Sequence, residues 1–123
     1  MKYTKADTEF SIYIRRRDAD EYGVCKCAIC ENQWEWKYMV CGHFIKRRIL
    51  VTRWHSDNAF AICSNCNGLM EGDPALEWSY GLYVLHRIGT DAYSELMMLR
   101  QTQPKYTQRM IDEIADKYRK LNK

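Results

Sequence analysis

The chain has 123 residues, 28% of them charged and 46% apolar, with a formal net charge of +3. That balance fits one folded domain with a modest core and does not fit a disordered chain; no apolar run approaches the roughly 20 residues of a helical membrane span. The opening residues MKYTKADTEF contain no apolar leader, so a reducing cytoplasm is the expected compartment, where six cysteines read as metal ligands or free thiols before disulfides.

Residues 7–20, DTEFSIYIRRRDAD, have helical spacing, with Asp7 or Thr8 as the cap and Phe10, Tyr13, Ile14 and Arg17 recurring along one side. Arg15, Arg16 and Arg17 form a basic block that reads equally as a solvated face or as a polyanion contact. After Gly23, residues 24–41 hold the first cysteine pair and then QWEWKYMV, where alternation of Trp34, Trp36 and Tyr38 predicts a strand. Residues 48–54, RILVTRW, continue as strand or as ordered loop. Asp73 followed by Pro74 predicts a helix start and Gly89 its stop. A second short helix is expected from Thr90 or Asp91, with Tyr93, Leu96 and Leu99 inward, ending before Pro104. Residues 105–121 predict a last amphipathic helix with Tyr106, Met110, Ile114, Tyr118 and Leu121 on one face. Trp34, Trp36, Trp54 and Trp78 are expected in the core, with base stacking as the secondary role.

Two CxxC pairs, Cys27 with Cys30 and Cys63 with Cys66, predict a structural zinc site. Four thiolates close a tetrahedral shell, and a two-residue spacing lets one tight turn aim both sulfurs at the ion. Such a shell has no open position, so the zinc stabilises rather than catalyses. The stretch between the pairs, residues 31–62, exceeds the ~15–20 residues of a zinc ribbon, so an insert is expected there. Cys25 and Cys41 are left over, and Cys41 is expected as a small buried residue.

The insert contains VCGHFIKRR, residues 40–48, with His43 followed at once by Lys46, Arg47 and Arg48, and then Arg53. These four cations are candidate phosphate contacts. His43, Asn58 and Asn67 stand in order around the second CxxC pair. This order resembles the HNH, or ββα-metal, nucleases. FSIYIRRRDADEYGVCKCAIC, CGHF, RWHSDN, CSNCN and LHRIG, across residues 8–90, further resemble the phage NinG, or Rap, recombination nucleases, and the zinc and asparagine placement is similar to junction-resolving nucleases of the endonuclease VII type.

The resemblance implies an α+β fold: a small ββα-metal, treble-clef-like core over residues 24–73 with the four-cysteine zinc, an N-terminal helix over 7–20, and a helical part over 74–123, all in one domain spanning 1–123. It implies His43 as general base, Asn58 as the residue that fixes the loop and orients the histidine, and Asn67 as a ligand of a catalytic Mg²⁺ or Mn²⁺. Glu71, one helical turn after Asn67, is the second candidate ligand; Asp73 is a further candidate that reads equally as a helix cap. Gly42 stands where many such nucleases carry a ligating aspartate or histidine. The expected function is metal-dependent hydrolysis of DNA phosphodiesters in branched intermediates, by a homodimer, with no membrane partner and in the cytoplasm of a phage-infected cell. Two other classes stay open: a non-catalytic zinc-knuckle DNA-binding module, and a structural zinc domain that docks a protein.

Overall fold

The computed structural model describes residues 1–123 as a mixed α and β fold with two small antiparallel sheets. Helix α1 spans Lys5–Arg17. Its cap is Thr4, not Asp7 or Thr8: the Thr4 hydroxyl accepts from the Asp7 N–H, and the Asp7 carboxylate accepts from the Thr4 N–H at 2.7 Å, a reciprocal box that satisfies two end donors. Strands β1 (Val24–Lys26) and β2 (Gln33–Glu35) pair with Cys25 opposite Trp34, and the loop between them carries Cys27 and Cys30. The expected strand through Tyr38 stops early. Trp36–Tyr38 form a 3₁₀ turn, because the Met39 N–H turns back to the Trp36 carbonyl at 3.1 Å.

Strand β3 (Val40–His43) pairs with β4 (Ala59–Ile62), placing His43 opposite Ala59 and Gly42 opposite Phe60. Between them lie a single helical turn, α2 (Leu50–Arg53), and a 3₁₀ turn over Ser56–Asn58. Helix α3 (Ser64–Met70) follows β4 directly, with Cys63 as its N-cap. Helix α4 spans Pro74–Leu99 and is broken at Gly89, whose φ of 86° and ψ of 167° only glycine adopts without strain. The break falls where the sequence places a helix stop. Helix α5 spans Gln108–Leu121.

The β3–β4 ribbon separates two apolar clusters. One contains Phe60, Ile62, Tyr80 and Val84 together with the cysteine pairs. The other contains Phe10, Ile14, Trp54, Ala59, Ile111 and Tyr118, joining α1 and α5 to the opposite face. Successive strand residues face opposite sides, so one ribbon serves both cores. Tyr80 clamps the first face: its hydroxyl donates to the Gly42 carbonyl and accepts from the Phe60 N–H at 3.2 Å. A Cβ on Gly42 would meet Ile62 Cδ1 at 2.5 Å, so this position has no room for a ligating side chain.

Two expectations need correction. Trp78 is 71% exposed, because α4 turns Tyr80 and Val84 inward and a residue two positions before Tyr80 points the other way; Trp34 lies on β2, whose residues are all exposed. The inward face of α5 is Ile111, Ile114, Ala115 and Tyr118; Ile114 and Tyr118 fall where expected and Tyr106 packs on the same cluster from before the helix, but Met110 and Leu121 face out and Ile111 takes the inward place. The chain's own α1 covers that face, with Phe10 edge-on to Tyr118 at 5.1 Å.

Candidate functional site

The two CxxC pairs converge. The ligand sulfurs of Cys27, Cys30, Cys63 and Cys66 lie within 4.8 Å of one another, and Cys30 and Cys63 are 3.9 Å apart. A tetrahedron with Zn–S bonds of about 2.3 Å has edges near 3.8 Å, whereas a disulfide needs about 2.05 Å. The cluster therefore fits a metal ion such as zinc. Backbone geometry prepares it: the Cys27 sulfur accepts from the N–H of Ile29 at 3.4 Å and of Cys63 at 3.3 Å, and the Cys63 sulfur from that of Cys66 at 3.4 Å. Burial raises the Cys27 thiol, but these N–H donors outweigh it and bring it down to about 7. Cys66 is driven up, by burial and then by its neighbouring thiols, so an all-thiolate cluster needs a cation to neutralise it.

The other two cysteines stand apart. Burial pushes Cys25 up to about 11, and its thiol donates to the Arg15 carbonyl at 3.1 Å. Burial likewise pushes Cys41 up to about 12, which makes it a poor nucleophile or ligand at neutral pH.

His43 ends β3 and lines a cleft of about 400 Å³ together with Lys46, Arg47, Asn67, Met70 and Glu71. Its Nε2 lies 2.8 Å from the Arg53 carbonyl. A carbonyl only accepts, so Nε2 carries the proton and Nδ1 keeps its lone pair. Burial holds the imidazole below its ordinary value of 6.5, so the neutral form dominates at pH 7. A second cleft of about 320 Å³ meets the first at His43, and Arg48, Glu77, Tyr80 and Arg100 line it.

Asn58 is fully buried and closes the insert. Its Oδ1 accepts from the Ile45 N–H at 2.7 Å, and its Nδ2 donates to the carbonyls of Ile45 and Thr52 at 3.0 Å each. These bonds tie the chain after His43 to the turn that ends at Arg53, so Asn58 sets the geometry of the histidine's carbonyl partner.

Arg53 is not a surface cation. It is 1% exposed and donates from Nε and Nη2 to the Asp7 carboxylate at 2.8 and 2.7 Å, which removes it from the candidate phosphate contacts. Burial favours this outcome because an unpaired guanidinium in the core would be costly. Asp73 is occupied too: its Oδ1 accepts from the N–H groups of Ala75 and Leu76, capping α4. His55 performs a similar task, its Nδ1 accepting from the Asp57 N–H at 3.1 Å. Sequence reasoning missed the Asp7–Arg53 pair and Tyr80; the pair joins residues far apart in the chain, and only T-x-x-D at 4–7 signals that Asp7 has a capping task.

The structure thus brings His43, Asn67, Glu71, Lys46 and Arg47 to one cleft, puts Arg48 in the adjoining one, and keeps Asn58 beneath them. The four cysteines are the one group of three or more Cys, His, Asp or Glu side chains placed to share an ion. Comparison with protein-family models, curated proteins and solved structures finds no match to this chain. No helix is long and apolar enough to cross a membrane.

Proposed function

We propose that the chain is a metal-dependent DNA endonuclease of the HNH type, resembling the NinG recombination nucleases, that cuts branched DNA. The observation that carries this reading is the His43 ring: one nitrogen is committed to the Arg53 carbonyl, the other makes no hydrogen bond, and the ring lines a cleft that also holds Asn67, Glu71 and the cations Lys46 and Arg47. The reading is supported by the local order: β3 ends at His43 and pairs with β4, which runs straight into the helix that bears Asn67, as expected of a ββα-metal nuclease.

In this reading the free Nδ1 of His43 takes a proton from water as its oxygen attacks phosphorus. The new P–O bond forms as the bond to the departing sugar oxygen breaks. A hard dication held by Asn67 and Glu71 would supply charge neutralisation at the phosphate, and such an ion keeps several water or phosphate oxygens, so two protein ligands suffice. Lys46, Arg47 and Arg48 position the backbone without reading sequence. Zinc on the four cysteines ties β1–β2 to the start of α3 and takes no part in the chemistry. We further propose that the working unit is a homodimer, since opposed cuts in a junction need two His43 sites in matching orientation.

The test is incubation of the protein with linear, flapped and four-way DNA, with and without Mg²⁺ or Mn²⁺. Cleavage that requires the added ion and prefers the branched substrates is expected. A second reading, a zinc-knuckle DNA-binding module, draws on the cysteine cluster alone, which is the one complete multi-ligand group. It is selected if DNA binds and remains uncut with either ion.

A further inference from the structure

The arginines of this chain divide by what their guanidinium groups meet. Those of α1 and α5, together with Arg53 and Arg87, each donate to an acceptor within the chain. Arg47, Arg48 and Arg100 donate to none; Arg47 lies only against the Tyr3 ring, at 5.3 Å. These three line the two clefts that meet at His43, Arg47 in the first and Arg48 and Arg100 in the second.

Arg100 reaches this place only through the break in α4. Along a straight helix at ~1.5 Å per residue it would stand roughly 30 Å from Tyr80. Yet the two line one cleft of about 320 Å³. The chain reverses at Gly89, and Phe44 fills the angle, packing on Tyr80 of the first limb at 6.4 Å and on Tyr93 of the second at 5.8 Å. Leu96 is buried and anchors the second limb, and Arg100 caps its end. A cation there also suits the helix dipole, but the dipole alone gives no reason for a second unpaired guanidinium to face the same cleft. The acidic member of that cleft, Glu77, is engaged by Lys46 at 2.9 Å.

We propose that Arg48 and Arg100 form a second phosphate site across His43 from Arg47. A nucleic-acid strand then crosses the histidine with its backbone held on both sides: by Arg47 in one cleft, by Arg48 and Arg100 in the other. The guanidinium fork matches phosphate oxygens, and two such groups side by side are mutually repulsive until an anion lies between them. The proposal rests on the reading of the His43 cleft as a DNA site, and it adds Arg100, which lies outside the stretch that resembles the NinG nucleases.

The experiment measures binding of a fluorescent duplex and a four-way junction over a salt series, for wild type, Arg100→Gln, Arg100→Lys and, as a control, Arg109→Gln on α5. Arg100→Gln is expected to weaken binding roughly tenfold at low salt and to lower the slope of log K against log salt by about 0.9, equally for unrelated sequences. Arg100→Lys should keep the slope, and Arg109→Gln should match wild type. Arg48→Gln repeats the test from the other segment should Arg100→Gln melt early. Wild-type affinity and slope in both Gln variants would overturn the site, even where wild type cleaves DNA and the nuclease reading stands. A reduced slope in a protein that never cleaves would keep the site and defeat the nuclease reading. Loss of inorganic phosphate binding in the variant with an unchanged DNA slope would mark a small-anion pocket and overturn the strand path.

Discussion

Asp7 accepts from the backbone and hydroxyl of Thr4, from Nε and Nη2 of Arg53 and from Nε1 of Trp54. Burial on its own would raise this carboxyl, but these donors and the guanidinium charge hold it below its ordinary 3.8. A carboxylate depressed in the folded state binds protons more readily when unfolded, so its contribution is present above pH 3.8 and is lost as pH falls through the lower folded value. Acid titration followed by circular dichroism should therefore show Asp7→Asn less sensitive than wild type below that pH. At neutral pH the same variant leaves Arg53 buried and unpaired, and a loss of about 3–5 kcal/mol in denaturant unfolding is expected. Because the Arg53 carbonyl orients His43, the pair also supports the candidate site. His43→Ala tests the site itself: cleavage should drop by roughly 10²–10⁴ while zinc content, fold and DNA affinity are kept. Wild-type cleavage in that variant would remove His43 from the chemistry; lost zinc would make it a structural ligand.

At the scale of elements, α3 and α4 each depend on a local device. Helix α3 has only the residues Ser64–Met70, too few to hold a helix in water unaided, and its N-cap is the sulfur of Cys63. Zinc on that sulfur would fix the helix start and the first knuckle at once. Cys63→Ser is expected to lose bound zinc by elemental analysis and to melt well below wild type, since binding such an ion contributes folding free energy directly. Unchanged metal and melting would defeat the zinc assignment. In α4 the device is Gly89, whose added Cβ would meet nothing within 4 Å. The cost of Gly89→Ala is then conformational, about 1–3 kcal/mol in equilibrium unfolding. A variant of wild-type stability would show that the reversal does not need glycine.

Over the whole molecule, the β3–β4 ribbon carries a core on each face, and the clefts open along its His43 end. The exposed apolar side chains that remain include Trp78 and Leu82, one turn apart on α4. The inward face of α5 is covered by α1, so the proposed homodimer would use this face of α4. Light scattering after size exclusion should give a dimer for wild type and a monomer for Trp78→Asp. A wild-type monomer, alone and on a four-way junction, would defeat the dimer.

Local patterns in the sequence were enough for α1, the start of α4 at Pro74, its break at Gly89 and the pairing of the cysteines, because each is written in neighbouring residues: a periodic apolar face, a cap, a glycine, a two-residue spacing. The family resemblance nominated His43, Asn58 and Asn67, helical spacing added Glu71 and local charge the basic run, and all but the deeply buried Asn58 and Arg53 line the two clefts. Tertiary structure alone decided which cations are free. Arg53 and Arg48 are alike as letters, but Asp7 reaches one across 46 residues and nothing reaches the other. It also decided that Gly42 is packed shut against Ile62, that Trp78 faces out, and that Arg100 returns to His43. Charge pairing and burial depend on what the fold brings near, and that is set by contacts between segments distant in the chain, which no local spacing records.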